Sequence, residues 1–411
     1  VELEGHSDLG KVVNMSSLDF LDFNPSQRLK NAAKQAITAS GVGACGPPNF
    51  YGSQDVHVRL EEDLSRYLQT EQAILYGQDF VTAGSVIPAF LKRGDLAVVD
   101  SGINVALQKA LIVSRCDIEW YDHNDVEHLE QILSELDPIV SKQKPLRRRF
   151  IITEGIFAYT GDVVNLPRIV ELKNKFKYRL FLDETLSIGT LGLNGRGAPE
   201  HFGISRDEIA ITIGSLATSF ASSGGFCAGV RPMVHHQRIN STAYVFSASL
   251  PPYSAKVASE AIKMINEDVD AKGNSKVISS LNQKIRVLHD ELSKAFSRSK
   301  YFEVVSDGNG PIAHLGLKAD FRTRLELPEI YGNATLLNTG KPCRKVNPFS
   351  ESYNLECYLL QKIVDEFLAQ HHILINRTRL VYEQESLPVQ SPHLWLHVSD
   401  GLTIEELKTA A

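Results

Sequence analysis

The chain has 411 residues, of which 43% are hydrophobic and 22% charged, with a formal net charge of -6. That length allows one large and one smaller domain, each with its own core, and the ordinary composition excludes a disordered or low-complexity chain. The charge is spread along the sequence; the one notable basic cluster, KPLRRR at residues 144–149, is predicted as a solvated loop and gives no support to a nucleic-acid surface.

Residues 1–38 read as an arm leading into the large domain. The start at Val1, without an initiator Met and without the charged-then-apolar pattern of a signal peptide, leads us to expect a missing upstream segment, with a membrane anchor as one candidate. No apolar run reaches the roughly 18 to 20 residues that cross a bilayer. From residue 39 onward, short apolar runs at 73–76, 96–99, 118–121, 150–153, 180–182 and 209–213 read as buried strands. Between them, residues 55–68 place Val56, Leu60, Leu64 and Leu68 on one helical stripe, and 126–136 and 166–176 behave similarly. Such alternation predicts βαβ units and an α/β fold with a mainly parallel sheet.

Near Pro251 and Pro252 the pattern changes to long amphipathic helices at about 255–267 and 277–296, followed by strand-like runs and a helix at 353–371. The large domain is therefore placed at 39–252 and a smaller α+β domain at 253–411. Residues 320–348, rich in Asn, Gly, Pro and Thr, read as a loop insertion. Cys45, Cys116, Cys227, Cys343 and Cys357 are widely spaced, which argues against a disulfide framework or zinc site and fits a reducing compartment. His57, His235 and His236 have no carboxylate or cysteine at ligand spacing and read as surface or capping residues. Cys45 has no basic neighbour and reads as a packed thiol.

In FLDETLSIGTLGLNGRG a buried strand ends in Asp183 and enters a glycine-rich turn. A carboxylate there can reach a cofactor above the strand ends, or simply hydrogen-bond within the turn. The sequence resembles the α-oxoamine synthase family, whose pattern DE-x-H-S-x-G-x-x-G-x-x-GRG is matched by Asp183, Glu184, Ser187, Gly189, Gly192, Gly195, Arg196 and Gly197, with Leu186 in place of the histidine. NMSSLDFLDF, EGIFAYTGDVVNLP, GSLATSFASSGGFCAG, FSASLPP and LTIEEL extend the likeness in order along most of the chain. The resemblance implies the aminotransferase-like pyridoxal-phosphate-dependent transferase fold, fold type I.

The departures from the family pattern bear on function. The lysine that holds pyridoxal 5'-phosphate in the family aligns with Thr218, and no lysine occurs from residue 178 to 255. A hydroxyl cannot form an imine. The ring-stacking histidine falls on Asn104, and the phosphate-binding turn reads Asp79-Phe80-Val81-Thr82-Ala83, with a carboxylate at Asp79 in place of glycine. The substrate-carboxylate arginine aligns with Trp395. By this resemblance Asp79, Thr82, Asn104, Asp183 and Thr218 are relics of a cofactor site, and no pyridoxal 5'-phosphate is held covalently by this chain.

Within the family, GVGACGPPNFYGSQDVHVRLEEDL resembles the non-catalytic first subunits of serine palmitoyltransferases. The likeness implies a heterodimer in which a catalytic, lysine-bearing subunit carries the cofactor and condenses L-serine with palmitoyl-CoA to 3-ketosphinganine. It also implies small regulatory membrane subunits and an endoplasmic reticulum location, with the soluble domain facing the cytosol. Cys45, Tyr51, Ser247 and Ser249 are the candidates for a site shared across the interface, although both serines also read as hydroxyls satisfied by backbone. Two rival readings stand: a scaffold with no share in any active site, and a pyridoxal-phosphate enzyme that uses another lysine such as Lys109.

Overall fold

In the computed structural model, which describes residues 2–4, 9–328, 331, 334–335, 342–343, 351–379 and 391–411, the chain divides into two compact units. The larger unit comprises residues 19–158 and 163–280, the smaller one residues 1–18, 159–162 and 281–411. The first strand, β1 (Val13–Asn14), belongs to the smaller unit. The larger unit opens with α1 (Gln27–Ser40), a wide turn at residues 48–52 and α2 (Asp55–Leu68). It continues with β2 (Gln72–Tyr76), α3 (Phe80–Phe90), β3 (Leu96–Asp100), α4 (Val105–Ser114), β4 (Asp117–Tyr121), α5 (Val126–Val140), β5 (Arg149–Glu154), α6 (Leu166–Phe176) and β6 (Arg179–Asp183). The short α7 (Ala198–Phe202), β7 (Ile211–Ser215), β8 (Gly225–Gly229), α8 (Arg231–Asn240), α9 (Thr242–Phe246) and α10 (Pro252–Glu267) follow, and the division between the units falls inside α11 (Lys276–Phe296).

The large sheet has the order β2-β8-β7-β6-β5-β3-β4, parallel except for β8, which pairs antiparallel with both β2 and β7. All five residues of β3 (LAVVD) are buried, because a parallel strand covered on both faces has no polar side to show. At the edge, β4 exposes Asp117 and Glu119, charges that discourage a further strand from pairing there. A strand and turn are expected ahead of His235, but the apolar runs do not mark β8 (GFCAG), which has no β-branched residue. Its glycines are imposed by contact: a Cβ on Gly225 would lie 2.2 Å from Thr82 Oγ1. The strand expected at 209–213 is β7, which runs on to Ser215.

The division at residue 281 differs from the one placed at 253. The buried face of α10, with Ala255, Ala258, Ala261, Ile262 and Ile265, packs on α1 and α2 of the larger unit, so the Pro251-Pro252 break starts a helix and does not end a domain. For the same reason residues 27–38 are not a loose arm: α1 buries Leu29, Ala32 and Ala36 there.

In the smaller unit, β9 (Phe302–Val304), β10 (Ile312–Leu317), α12 (Ala319–Arg324), the paired β11 (Ala334–Thr335) and β12 (Pro342–Cys343), α13 (Glu351–His371), β13 (Ile373–Leu374), β14 (Asn376–Arg377), β15 (Leu394–His397) and α14 (Ile404–Ala410) occur in order. The antiparallel sheet is ordered β14-β15-β10-β9, and β1 pairs parallel with β13. The expected loop at 320–348 is helical at its start, in α12, and most of the rest lies outside the described residues. Among the described residues no helix is long and apolar enough to cross a membrane.

Candidate functional site

Parallel strands bring their C-terminal residues to one edge of a sheet. Here β3, β5, β6 and β7 end in Asp100, Glu154, Asp183 and Ser215, and Glu154 lies directly opposite Asp183 in the register. Three buried carboxylates and a hydroxyl therefore occupy one edge.

Each is held by a donor of this chain. Asn104 caps α4, its Oδ1 accepting from the backbone N–H groups of Ala106 at 2.9 Å and Leu107 at 3.1 Å. Its Nδ2 donates to Asp183 Oδ2 at 3.0 Å, and its backbone N–H donates to Glu154. The second oxygen of Asp183 accepts from the N–H of Thr185 at 2.9 Å. Asp79, just before α3, accepts from Ser215 Oγ at 2.7 Å, while Thr82 Oγ1 donates to the Gln78 carbonyl at 3.0 Å. Thr218 is buried and donates from Oγ1 to the Thr185 carbonyl at 3.1 Å. All five positions expected from the resemblance lie in the larger unit; Asn104 is bonded to Asp183, and Thr185 joins Asp183 to Thr218. Glu154 and Ser215 complete the set, and the sequence reading missed both.

Burial raises the pKa of Asp183 and of Asp79, the latter also through the charge of Asp183. Burial pushes Glu154 well above the usual carboxylate range, with Asp183 and Asp100 adding to it. The edge thus resists additional negative charge. Pyridoxal 5'-phosphate does not fit it. No amine stands at Thr218, Asp183 is already bonded to Asn104 and Thr185, and the turn before α3 offers a carboxylate where a phosphate needs donors. Among the described residues no group of three or more His, Cys, Asp or Glu is arranged to hold a metal ion.

The glycine-rich turn after Asp183 is explained by packing. Buried Glu184 pairs with Arg206 and accepts from the Ala198 N–H at 2.7 Å. Gly197, at φ 91°, passes so close that a Cβ would sit 2.0 Å from Glu184 Oε1. Most of that motif holds a turn together, and Asp183 alone of it faces the carboxylate edge.

The proposed interface residues also gather within the larger unit. Ser249 donates its backbone N–H to the Gly46 carbonyl at 2.9 Å, and a Cβ on Gly52 would lie 1.9 Å from that same carbonyl and 2.6 Å from Ser249 Oγ. Ser249 Oγ is buried with no hydrogen-bond partner among the described residues, whereas Ser247 is exposed. Tyr51 is 77% exposed, and Phe50 and Phe246 nearly as much. Cys45 is exposed, with φ 56° and its Sγ 3.7 Å from the Gly43 carbonyl, which corrects the reading of a packed thiol: the left-handed turn ahead of Gly46-Pro47 throws the side chain outward.

The histidines behave as expected. His57 caps α2, its Nδ1 accepting from Gln54 at 3.0 Å and its Nε2 donating to the Leu250 carbonyl at 2.6 Å, with burial lowering its pKa. His236 Nε2 bonds the Ala89 carbonyl at 2.8 Å. Trp395, in β15 of the smaller unit, donates its indole N–H to His314 Nδ1 at 2.9 Å. Lys109 lies on α4 and is half-buried.

Residues 10–338 match the family model for aminotransferase class I and II. Serine palmitoyltransferase 1 of Saccharomyces cerevisiae is 41% identical over 405 residues, which span 97% of this chain and 71% of that protein. Serine palmitoyltransferase 1 of Dictyostelium discoideum is 33% identical over 97% of this chain and 76% of its own length. Long chain base biosynthesis protein 1 of Arabidopsis thaliana is 36% identical over 75% of this chain and 61% of its own. Among solved structures, a serine palmitoyltransferase from S. paucimobilis with bound pyridoxal phosphate and myriocin superposes with a TM-score of 0.76 at 18% identity, covering 98% of this chain and 86% of that one. An 8-amino-7-oxononanoate synthase from Francisella tularensis gives 0.69 at 20% identity, covering 97% and 95%. At such identities these structures speak to the fold alone.

Proposed function

The chain belongs to the aminotransferase class I and II family and, within it, to the serine palmitoyltransferase 1 branch, and we propose that it is the non-catalytic subunit of a serine palmitoyltransferase. A lysine-bearing subunit is its partner and holds pyridoxal 5'-phosphate; the pair condenses L-serine with palmitoyl-CoA, releasing carbon dioxide and coenzyme A, to give 3-ketosphinganine. One observation carries this reading: at the position of the cofactor lysine, Thr218 is buried and bonded to Thr185, beside carboxylates already satisfied by Asn104. The exposed aromatic side chains Phe50, Tyr51 and Phe246, on neighbouring elements, support a partner surface. The endoplasmic reticulum membrane, where acyl-CoA and lipid product partition, is the proposed location, and small regulatory membrane subunits are the further partners.

Co-purification with the catalytic subunit tests this. The isolated chain should show no visible absorbance from bound cofactor and no condensation, whereas the complex should do both. After borohydride reduction the cofactor label should sit on a peptide of the partner. A labelled peptide from this chain would overturn the proposal.

A further inference from the structure

The edge of the large sheet opposite the carboxylate cluster has the reverse character. There β3, β4, β5 and β6 begin and the preceding helices end, since Leu96 is in register with both Asp117 and Arg149, and Phe150 with Arg179. On a chain of net charge -6, this edge gathers exposed Lys92 and Arg93 before β3, Arg115 before β4, Lys142 and Lys144 before β5, and Lys177 before β6. The 144–149 cluster is only partly the solvated loop expected of it. Arg147 is paired with Asp117 at 2.9 Å, Arg148 donates to the Phe90 carbonyl at 2.7 Å, and Arg149 stacks over Tyr178, so the loop is pinned at its end and displays its lysines. The acids nearby are Asp117, already paired, Asp95, buried and accepting from the backbone N–H groups of Lys92 and Arg148, Glu208, paired with Lys173, Glu135 and half-buried Asp137.

Helix dipoles account for part of this, since Arg115 and Lys177 sit at the C-terminal caps of α4 and α6. They do not account for the apolar side chains interleaved with the cations. Leu146 is 76% exposed, Val113 62%, Ile139 59% and Ile112 43%. All four are aliphatic and lie at helix ends or in the loop of this same edge.

We infer that this edge is a docking surface for an anionic lipid membrane. Charge complementarity selects the headgroups, and Leu146, Ile139 and Val113 enter the acyl boundary beneath them. Aliphatic tips suit that boundary, whereas a single-stranded nucleic-acid surface uses aromatic stacking platforms. The inference is independent of whether the chain is catalytic.

The test uses the 411-residue chain, in which no described helix can span a bilayer. It should float with vesicles of phosphatidylcholine plus phosphatidylserine and remain behind with phosphatidylcholine alone, and added salt should release it. Each basic residue near an anionic surface is worth roughly fivefold in partition, so Lys142→Glu with Lys144→Glu should cut binding at least tenfold. Leu146→Trp, at an exposed position that leaves the fold intact, should bind as well as the parent and shift its fluorescence to the blue with the anionic vesicles only. Equal flotation with both vesicle types, unchanged binding by the charge-reversal variant, or stronger retention on RNA or polyglutamate than on anionic vesicles would overturn the inference.

Discussion

At the scale of single residues, the carboxylate edge shows which effect wins when several compete. Asp79 stands at the N-terminus of α3, where the helix dipole favours an anion by roughly 0.3 to 1 kcal/mol. Its pKa is nonetheless raised by burial and by Asp183, so those effects outweigh the dipole and the Ser215 hydrogen bond. A carboxyl with a raised folded pKa contributes stability that is lost as pH rises through that pKa. Asp79→Asn, which keeps an acceptor for Ser215, should therefore stabilise the chain by about 0.5 to 1 kcal/mol at pH 8 and by less at pH 5, as read from urea midpoints. An equal or negative effect at pH 8 would show that the charge is wanted there. Thr218→Lys, by contrast, should yield no measurable condensation by this chain alone. The amine would be restored without a stacking ring at Asn104 or phosphate donors at Asp79, and orientation and electrostatics must be supplied together.

At the scale of elements, the parallel strands were legible because burial on both faces leaves unbroken apolar runs, and Asp183, Asn104 and Asp79 were legible because each stands at the end of such a run or the start of a helix. Glu154 and Ser215 were not, since what matters about them is register against neighbouring strands, which local pattern does not carry. The strand Gly225–Gly229 was not marked by an apolar run because contact, not propensity, selects its residues. The exposure of Cys45 was hidden because a left-handed turn decides it. The element formed by residues 45–52 and 247–250 carries its own prediction. Ser249 Oγ is buried without a partner, so Ser249→Ala should leave the isolated chain unchanged or stabilise it by about 0.5 kcal/mol. If that hydroxyl is reserved for the neighbouring subunit, the same change should lower the turnover of the complex at least tenfold with the two chains still associated. Gly52→Ala should instead destabilise the isolated chain by about 1 to 3 kcal/mol, because a Cβ would strike the Gly46 carbonyl. Normal turnover by an intact Ser249→Ala complex would favour a scaffold with no share in the site.

At the scale of the whole molecule, the shifted buried acids and imidazoles are mainly carboxylates in the larger unit, with His57 opposing them, and mainly imidazoles in the smaller one, with Glu356 opposing them. In the larger unit, burial raises the pKa of Asp79, Glu154 and Asp183, so acidification relieves a penalty there. In the smaller unit, His314 is fully buried against His393 and Trp395, and burial together with the charges of His393, His397 and His289 keeps its pKa well below the ordinary value. Burial lowers His393 and His397 to about 4, Arg322 adding to the effect on His393 and the Ser17 and Ser16 backbone opposing it at His397. A histidine whose folded pKa is depressed contributes stability that is complete above its unfolded pKa and is lost as pH falls toward the folded one. For His393 and His397 that window runs from the ordinary 6.5 down to about 4, and each should cost on the order of 2 kcal/mol by pH 5. The chain's two tryptophans allow the units to be read separately, because Trp120 lies in β4 of the larger unit and Trp395 in β15 of the smaller one. In Trp120→Phe, urea unfolding followed by Trp395 fluorescence should move to lower midpoints between pH 7 and pH 5. In Trp395→Phe, which serves only to read the larger unit, the Trp120 midpoint should hold or rise over the same range. A Trp395 midpoint indifferent to pH would mean that the imidazoles are solvated in solution, and a parallel fall of both midpoints would mean that the units unfold as one and that the histidines dominate the balance.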